Sequence, residues 1–205
     1  GIENDISYGQ YKTIAQIAGD NLTDITTYIT ALRNIKTEFE IASIKKAQSV
    51  TELAYNQALK IIKEGVSEVE LAAYIEYVMK KNGCQIAFDS IVAFGDHTAI
   101  PHAHPGQRKL KSGDFITMDI GAKYDGYCSD MTRTVGYGQL SAKQAQIYQC
   151  VLEAQKLAID NLKAGMTGIE GDSIARDYFK KNSLEQYFTH SLGHGVGIDI
   201  HEGVG

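Results

Sequence analysis

Thr117-Met-Asp-Ile-Gly-Ala-Lys-Tyr-Asp-Gly-Tyr-Cys-Ser-Asp-Met-Thr-Arg-Thr134 is the stretch on which the fold turns. It reads as two strands around a tight turn. Asp125-Gly126 is the strongest short hairpin signal in the region, because a two-residue loop needs positive φ at both positions. With that turn Tyr124 pairs with Tyr127, and Asp119 lies opposite Thr132. Side chains along a strand alternate faces, so Asp130 shares the face of Thr132 and sits diagonal to Asp119. Diagonal neighbours lie about 7–8 Å apart at the backbone. Two carboxylates leaning together from there can hold cations, and without cations one of them has a raised pKa. The alternative is a pair of solvated strand residues. Aspartate is depleted in strands, and Asp119 interrupts the apolar run Phe115 to Ile120. An oxygen-rich pair suits Mn²⁺, Mg²⁺ or Co²⁺ better than a thiolate-seeking ion.

Around the hairpin, helices come first. Leu22, Ile25, Tyr28, Ile29 and Leu32 recur at helical spacing, with Asn21 as a candidate cap. A long amphipathic stripe predicts a helix from about Glu38 to Lys63, ended by Gly65. Ser67 followed by Glu70 is a capping-box signature for a helix over 68–81, stopped by Asn82-Gly83. Residues 1 to about 20 give no clear pattern. Beyond them, Phe88 to Phe94, Phe115 to Ile120 and Tyr127 to Val135 read as strands. Ser141 opens a helix to about Lys163, with Ile147, Val151, Leu152, Leu157 and Ile159 as its main apolar residues. Another helix covers 171–181. His190 to Gly205 is glycine-rich and strand-like, with Val196, Ile198 and Ile200 alternating. The order of elements predicts an α+β fold, an antiparallel sheet flanked by helices.

Five of the six histidines fall in two windows. His102 and His104 lie between Pro101 and Pro105, and His190, His194 and His201 lie near the end. Glycines on both sides of His194 allow close backbone approach to a ligand, which favours a metal-binding role. His194 and His201 share a face only if a bulge or turn intervenes. His97 and His104 read as ordinary structural histidines, whereas spacing leaves His102, His190 and His201 open. No Gly-x-Ser-x-Gly elbow or phosphate-cradling glycine loop with lysine competes.

At 205 residues the chain is one domain or one domain plus a remnant. A net charge of −5 argues against electrostatic binding to nucleic acid or an anionic membrane. No apolar run approaches the roughly 20 residues of a membrane span. Cys84, Cys128 and Cys150 lack metal-type spacing and read as reduced thiols of a cytoplasmic protein.

Four windows together resemble the pita-bread metallopeptidase family, which includes Xaa-Pro aminopeptidases, Xaa-Pro dipeptidases (prolidases), methionine aminopeptidases and creatine amidinohydrolase. Leu32 to Ile41 resembles the entry to its catalytic domain. Ala99 to Pro105 is similar to the loop with the first catalytic histidine. Asp114 to Ala122 with Gly126 to Thr134 is similar to the double-aspartate hairpin, and Gly193 to Glu202 to the histidine-ligand strand. The wording of the second and third windows, with the His190/His194 pair, looks like the Xaa-Pro branch. The resemblance implies residues 1–31 as the tail of an N-terminal domain and residues 32–205 as a partial catalytic domain lacking its last strands. It implies two divalent metal ions, Mn²⁺ or Co²⁺ ahead of Zn²⁺, with Asp119, Asp130 and His194 as ligands. The chemistry the resemblance implies is attack on the scissile carbonyl by a hydroxide that the two metals would supply. His102 and His201 would hydrogen-bond the substrate or intermediate, and His190 would shape the proline pocket. A proline-containing peptide is the implied substrate and a homodimer the implied assembly. The family pattern adds two glutamate ligands after the His-Glu pair, whereas Glu202 is followed here by three residues only. Val204 also replaces a proline often found there. The expectation is therefore a fragment of a longer protein, weak in metal binding and with little peptidase activity alone. The competing expectations are a methionine aminopeptidase or creatine amidinohydrolase type of hydrolase, and a catalytically dead binding domain on the same fold.

Overall fold

A computed structural model describes residues 1–19 and 21–203. Val204, and the proline comparison made at it, lie outside the described residues. Four helices lead: α1 (Tyr8–Ala18), α2 (Thr26–Asn34), α3 (Glu38–Ala58) and α4 (Glu68–Lys81). Then come β1 (Gln85–Ile86), β2 (Ile91–Phe94), β3 (Phe115–Ile120), β4 (Ala122–Tyr124), β5 (Tyr127–Cys128) and β6 (Met131–Gly136). Helices α5 (Ala142–Asn161) and α6 (Gly168–Lys181) follow. Among the described residues no helix is long and apolar enough to cross a membrane.

Local chemistry sets most of the helix starts. Ser7/Gln10, Thr37/Glu40, Ser67/Glu70, Ser141/Gln144 and Thr167/Glu170 are all reciprocal capping boxes. In each, two backbone N–H groups at the helix entrance gain a side-chain acceptor. The first box explains α1, which periodicity had not revealed. The last places the start of α6 at Gly168 rather than 171. Asn21 does not cap α2. That helix begins at Thr26 without a side-chain cap, and the Asp24 carboxylate instead accepts from the Thr26 N–H at 2.8 Å. α3 ends at Ala58, short of Lys63, because the chain tightens into turns in which Lys60 and Ile61 donate to Gln57 and Ala58. Gly65 lies beyond, at φ +83°.

The strands form two three-stranded antiparallel sheets, β2-β3-β6 and β1-β4-β5. The central hairpin runs through both. Its turn is type I′, with Asp125 at φ 49° and Gly126 at φ 85°. Tyr124 pairs with Tyr127 and Asp119 with Thr132, the register expected from the turn. The return strand is not continuous over 127–135. It divides into β5 and β6 at Ser129-Asp130, and the outgoing strand divides at Gly121. A Cβ at Gly121 would overlap the Ser129 carbonyl oxygen and the Phe88 ring, so only glycine lets the strands approach there. The seam is fastened to α3. The Thr51 and Ser129 hydroxyls lie 2.8 Å apart, and the Ala122 N–H donates to Thr51 at 2.9 Å.

Val50, Ala54 and Ala58 of α3, and Leu71, Ile75 and Met79 of α4, pack on Val92, Phe94, Ile116, Met118 and Ile120 of the β2-β3-β6 sheet and on Ala122 of β4. β3 shows strict alternation: Ile116, Met118 and Ile120 are buried, and Thr117 and Asp119 face the other way. A smaller cluster joins α5 to α6 through Ala154, Ala175 and Phe179. The buried residues of α5 are therefore Ala154 and Ala158, and Ile147, Val151, Leu157 and Ile159 are exposed. Small alanines let the two helices approach closely, which the large residues would prevent.

Candidate metal centre

The expected face exists. Asp119 projects from β3 on the side away from the core, and its carboxylate accepts from the Thr132 hydroxyl at 2.7 Å. Asp130 stands at the seam between the sheets, with its side chain 24% exposed. Burial pushes the Asp130 carboxyl above its ordinary value, and the charge of Asp119 pushes it further. His194 and His201 offset this in part, and a hydrogen bond with Asp119 adds to the rise.

His194 lies 3.3 Å from Asp130, Nε2 to Oδ2. The His194 Nδ1–H donates to the Gly195 carbonyl at 3.0 Å. With Nδ1 turned to that carbonyl, Nε2 is the ring nitrogen that faces Asp130. At this distance the nitrogen and the carboxylate oxygen meet through a proton or through a cation. The His194 and His201 rings are 4.0 Å apart, centroid to centroid. Asp119, Asp130, His194 and His201 therefore converge on one exposed face. Among the described residues no three His, Cys, Asp or Glu side chains already stand close enough to hold one ion jointly. Like-charged donors have no reason to close without a cation, and the donor set (two carboxylates and one imidazole nitrogen) fits a divalent ion such as Mn²⁺ or Co²⁺.

Residues 190–203 are not a strand. They form bends closed by one antiparallel bridge between Gly195 and Glu202. Period-two alternation of Val196, Ile198 and Ile200 misleads here because the segment's polar groups are satisfied elsewhere. Cys128 N–H donates to Gly197 at 2.7 Å and the Lys123 ammonium to the Ile198 carbonyl at 2.9 Å. The turn that these bonds hold is the one that brings His201 onto His194.

His190 faces a different neighbourhood. Its ring meets Phe188 edge-on at 5.1 Å, and its carbonyl accepts from Arg176 at 3.0 Å. Arg176 lies over the Phe188 ring and pairs with Asp172, whose carboxylate also receives the Leu192 N–H at 2.9 Å. The Arg176 guanidinium holds the Asp172 carboxyl below the usual range, against the opposing effect of burial.

His102 lies exposed on the turn after the short 3₁₀ helix Gly95–Ala99. The loop that carries it is anchored by Glu68, which is wholly buried. Glu68 accepts from the Phe94 N–H at 2.8 Å, the Gly106 N–H at 2.9 Å and His97 Nδ1 at 2.8 Å. His97 is thus a satisfied structural histidine, as expected, and His104 is exposed. Sequence reasoning missed Glu68, Asp172, Arg176, Arg33 and Lys36. The i, i+4 spacing of Asp172 and Arg176 was the one visible signal.

The sequence pattern of Metallopeptidase family M24 matches residues 42–204. An Xaa-Pro dipeptidase from Pyrococcus furiosus is 44% identical over 204 residues, covering 98% of this chain and 59% of that protein. A peptidase from Bacillus subtilis is 38% identical, covering 99% of this chain and 58% of that one. The structure of an Xaa-Pro dipeptidase from Bacillus anthracis superimposes with a TM-score of 0.94 at 39% identity, over 98% of this chain and 57% of that chain. An X-Pro aminopeptidase from Thermotoga maritima gives 0.89 at 38% identity, over 97% and 57%. The chain thus spans under three-fifths of the length of each of these relatives. The antiparallel sheets between helices are those of the pita-bread fold, and the chain belongs to Metallopeptidase family M24.

Proposed function

We propose that this chain forms the larger part of the catalytic domain of a metal-dependent exopeptidase that hydrolyses the bond between a residue and a following proline. Residues 1–31 then belong to a preceding domain, and 32–205 to the catalytic one. The observation that carries the reading is the convergence of Asp119, Asp130 and His194, two carboxylates and an imidazole nitrogen, a donor set that suits a divalent cation. Family membership and the prolidase names of similar proteins support it.

Asp119, Asp130 and His194 would hold the metal ions. Bound divalent ions supply a water nucleophile at neutral pH and polarise a carbonyl. The rest is done by side chains. Thr132 fixes the Asp119 carboxylate through its hydroxyl. The Gly195 carbonyl fixes the His194 tautomer, so that Nε2 is the ligating atom. His201, exposed beside His194, would donate a hydrogen bond to the substrate carbonyl, and His102 would serve the substrate from its loop. His190 with Phe188 offers an aromatic wall suited to a proline ring. Asp119, Asp130 and His194 are three of the five ligands in the family pattern, and three ligands by themselves are expected to bind metal weakly and to turn over little substrate.

The test is calorimetric titration of the chain with MnCl₂ or CoCl₂, beside D130N and H194A. Binding in the wild type that both variants abolish supports the site. Equal binding by all three would refute these ligands. Rapid Mn²⁺-dependent release of proline from an Xaa-Pro dipeptide by this chain would refute the need for further glutamates.

A further inference from the structure

Gly193 to Glu202 owes its shape to a side chain at its end. The Glu202 side chain is only 4% exposed, although the residue sits on a surface turn. Its backbone N–H donates to the Gly195 carbonyl at 2.9 Å, and its carboxylate accepts the Asp199 N–H at 3.0 Å. It therefore staples the turn at two points. The glycines make room for it. A Cβ at Gly195 would overlap the Glu202 carbonyl oxygen, and a Cβ at Gly197 would overlap its carboxylate. Gly195 and Gly197 are thus the imprint of Glu202 on the turn that carries His194.

A carboxylate this buried needs compensating charge, because desolvation otherwise disfavours its ionised form. The compensation comes from the other end of the chain. Arg33, in the last turn of α2, donates to Glu202 and also to Asp199, the latter at 2.6 Å. Lys36, between α2 and α3, reaches Glu202 at 3.1 Å. The two cations meet the two carboxylates of the turn, and they lie before the first residue, 42, of the family match.

We infer that Arg33 and Lys36 are positioning residues of the proposed metal site, acting through Glu202 to hold the turn that sets the His201 ring against that of His194. This rests on the metal-site reading for its consequence, though not for its geometry. Arg33 and Lys36 touch neither metal ligand in the structure. Their effect passes through Glu202, whose backbone is bonded next to both histidines. Removing the cations leaves a buried carboxylate to be rehydrated, and rehydration opens the Gly195–Glu202 bridge. His194 then loses its fixed approach to Asp130.

The experiment uses the 205-residue chain labelled at histidine, with R33M/K36M, the milder K36M, and R33K as the conservative rescue. The first readout is the nuclear Overhauser contact between the His194 and His201 rings, taken without metal and well below each variant's melting temperature. The second is Mn²⁺ affinity. R33M/K36M is expected to lose the ring contact and to bind Mn²⁺ about 10–100-fold more weakly, the usual consequence of removing an outer support of a ligand. R33K is expected to keep both, and K36M to weaken both, which covers the case of a double variant that does not fold. A ring contact and affinity unchanged in K36M and R33M/K36M would overturn the inference, as would loss in R33K equal to that in the double variant. Should the wild type bind no Mn²⁺ while the ring contact still depends on the two cations, the metal reading fails and the positioning role is upheld.

Discussion

Glu68 offers the sharpest test of how the His102 loop is held. It is the first residue of α4 and completely buried. Its two oxygens serve three donors: Phe94 at the end of β2, Gly106 on the far side of the loop, and His97 between them. Glu68→Gln keeps the volume but replaces one acceptor oxygen with a donor. Whichever way the amide turns, its NH₂ faces either the Phe94 N–H or the Gly106 N–H. One backbone donor is then orphaned, and His97 loses half of its acceptor. Hydrogen bonds to charged groups are worth about 1.5–3 kcal/mol each, and breaking a buried charged arrangement costs about 3–5 kcal/mol. A loss of about 3 kcal/mol follows. For a domain of this size each kcal/mol moves the melting temperature by about 2–4 °C, so the variant is expected to melt roughly 6–12 °C lower. Calorimetry at pH 7 measures this, and native-state hydrogen exchange at Phe94 and Gly106 locates it. A melting temperature within about 2 °C of wild type, or unchanged exchange at both amides, would refute the idea that this carboxylate ties the loop's two ends together.

Two other predictions concern acid and packing. Burial raises the Glu202 carboxyl, but Arg33, the Asp199 N–H and Lys36 outweigh it and bring it from 4.5 to about 2. The folded state thus binds fewer protons than the unfolded state between those values, so Glu202 stabilises fully above pH 4.5 and loses its contribution as pH falls towards 2, on the order of 3 kcal/mol in all. Urea midpoints should show a gap between wild type and E202Q at pH 6 that closes by pH 2, and a gap independent of pH would contradict the sign. Gly121→Ala sets a methyl against the Ser129 carbonyl, a backbone atom that cannot swing away. It should cost about 1–3 kcal/mol by overpacking and lower the melting temperature by several degrees, whereas a neutral effect would mean the two sheets can separate at the seam freely.

The hairpin was readable from sequence because its determinants are local. Asp125-Gly126 fixes the turn, the turn fixes the register, and the register sets Asp119 opposite Thr132. Capping boxes are readable for the same reason, since both partners lie within one helical turn. The break at Ser129-Asp130 was not readable. It depends on Thr51, a residue of α3 far away in sequence, whose hydroxyl substitutes for a strand partner. The end of the chain misled because Val196, Ile198 and Ile200 mimic a strand, and nothing in the spacing announces that Glu202 folds back among the glycines. Glu68 looked like an ordinary first-turn acidic residue of a capped helix. It is buried because the 95–106 loop closes over it, a tertiary event with no local signature.

The electrostatics separate the paired carboxylates from Asp130, the one proposed as a ligand, more cleanly than position does. Asp114 is held below the usual range by Arg108 against the effect of burial, and Asp172 by Arg176. Glu202 is brought down by Arg33 and Lys36 although burial opposes them. Glu40, Glu70 and Glu170 are lowered by the helix entrances they cap. Each of these groups has found its countercharge or its N–H donors. Among the described carboxylates whose pKa is displaced, Asp130 alone is displaced upwards, with a second carboxylate and two imidazoles as neighbours. A raised carboxyl beside a second carboxylate and an imidazole, in a fold that pairs these other acids, is the place where a cation would lower the energy most. Asp119, Asp130 and His194 thus stand out by geometry and charge alone, and the sequence resemblance implies the same three as ligands.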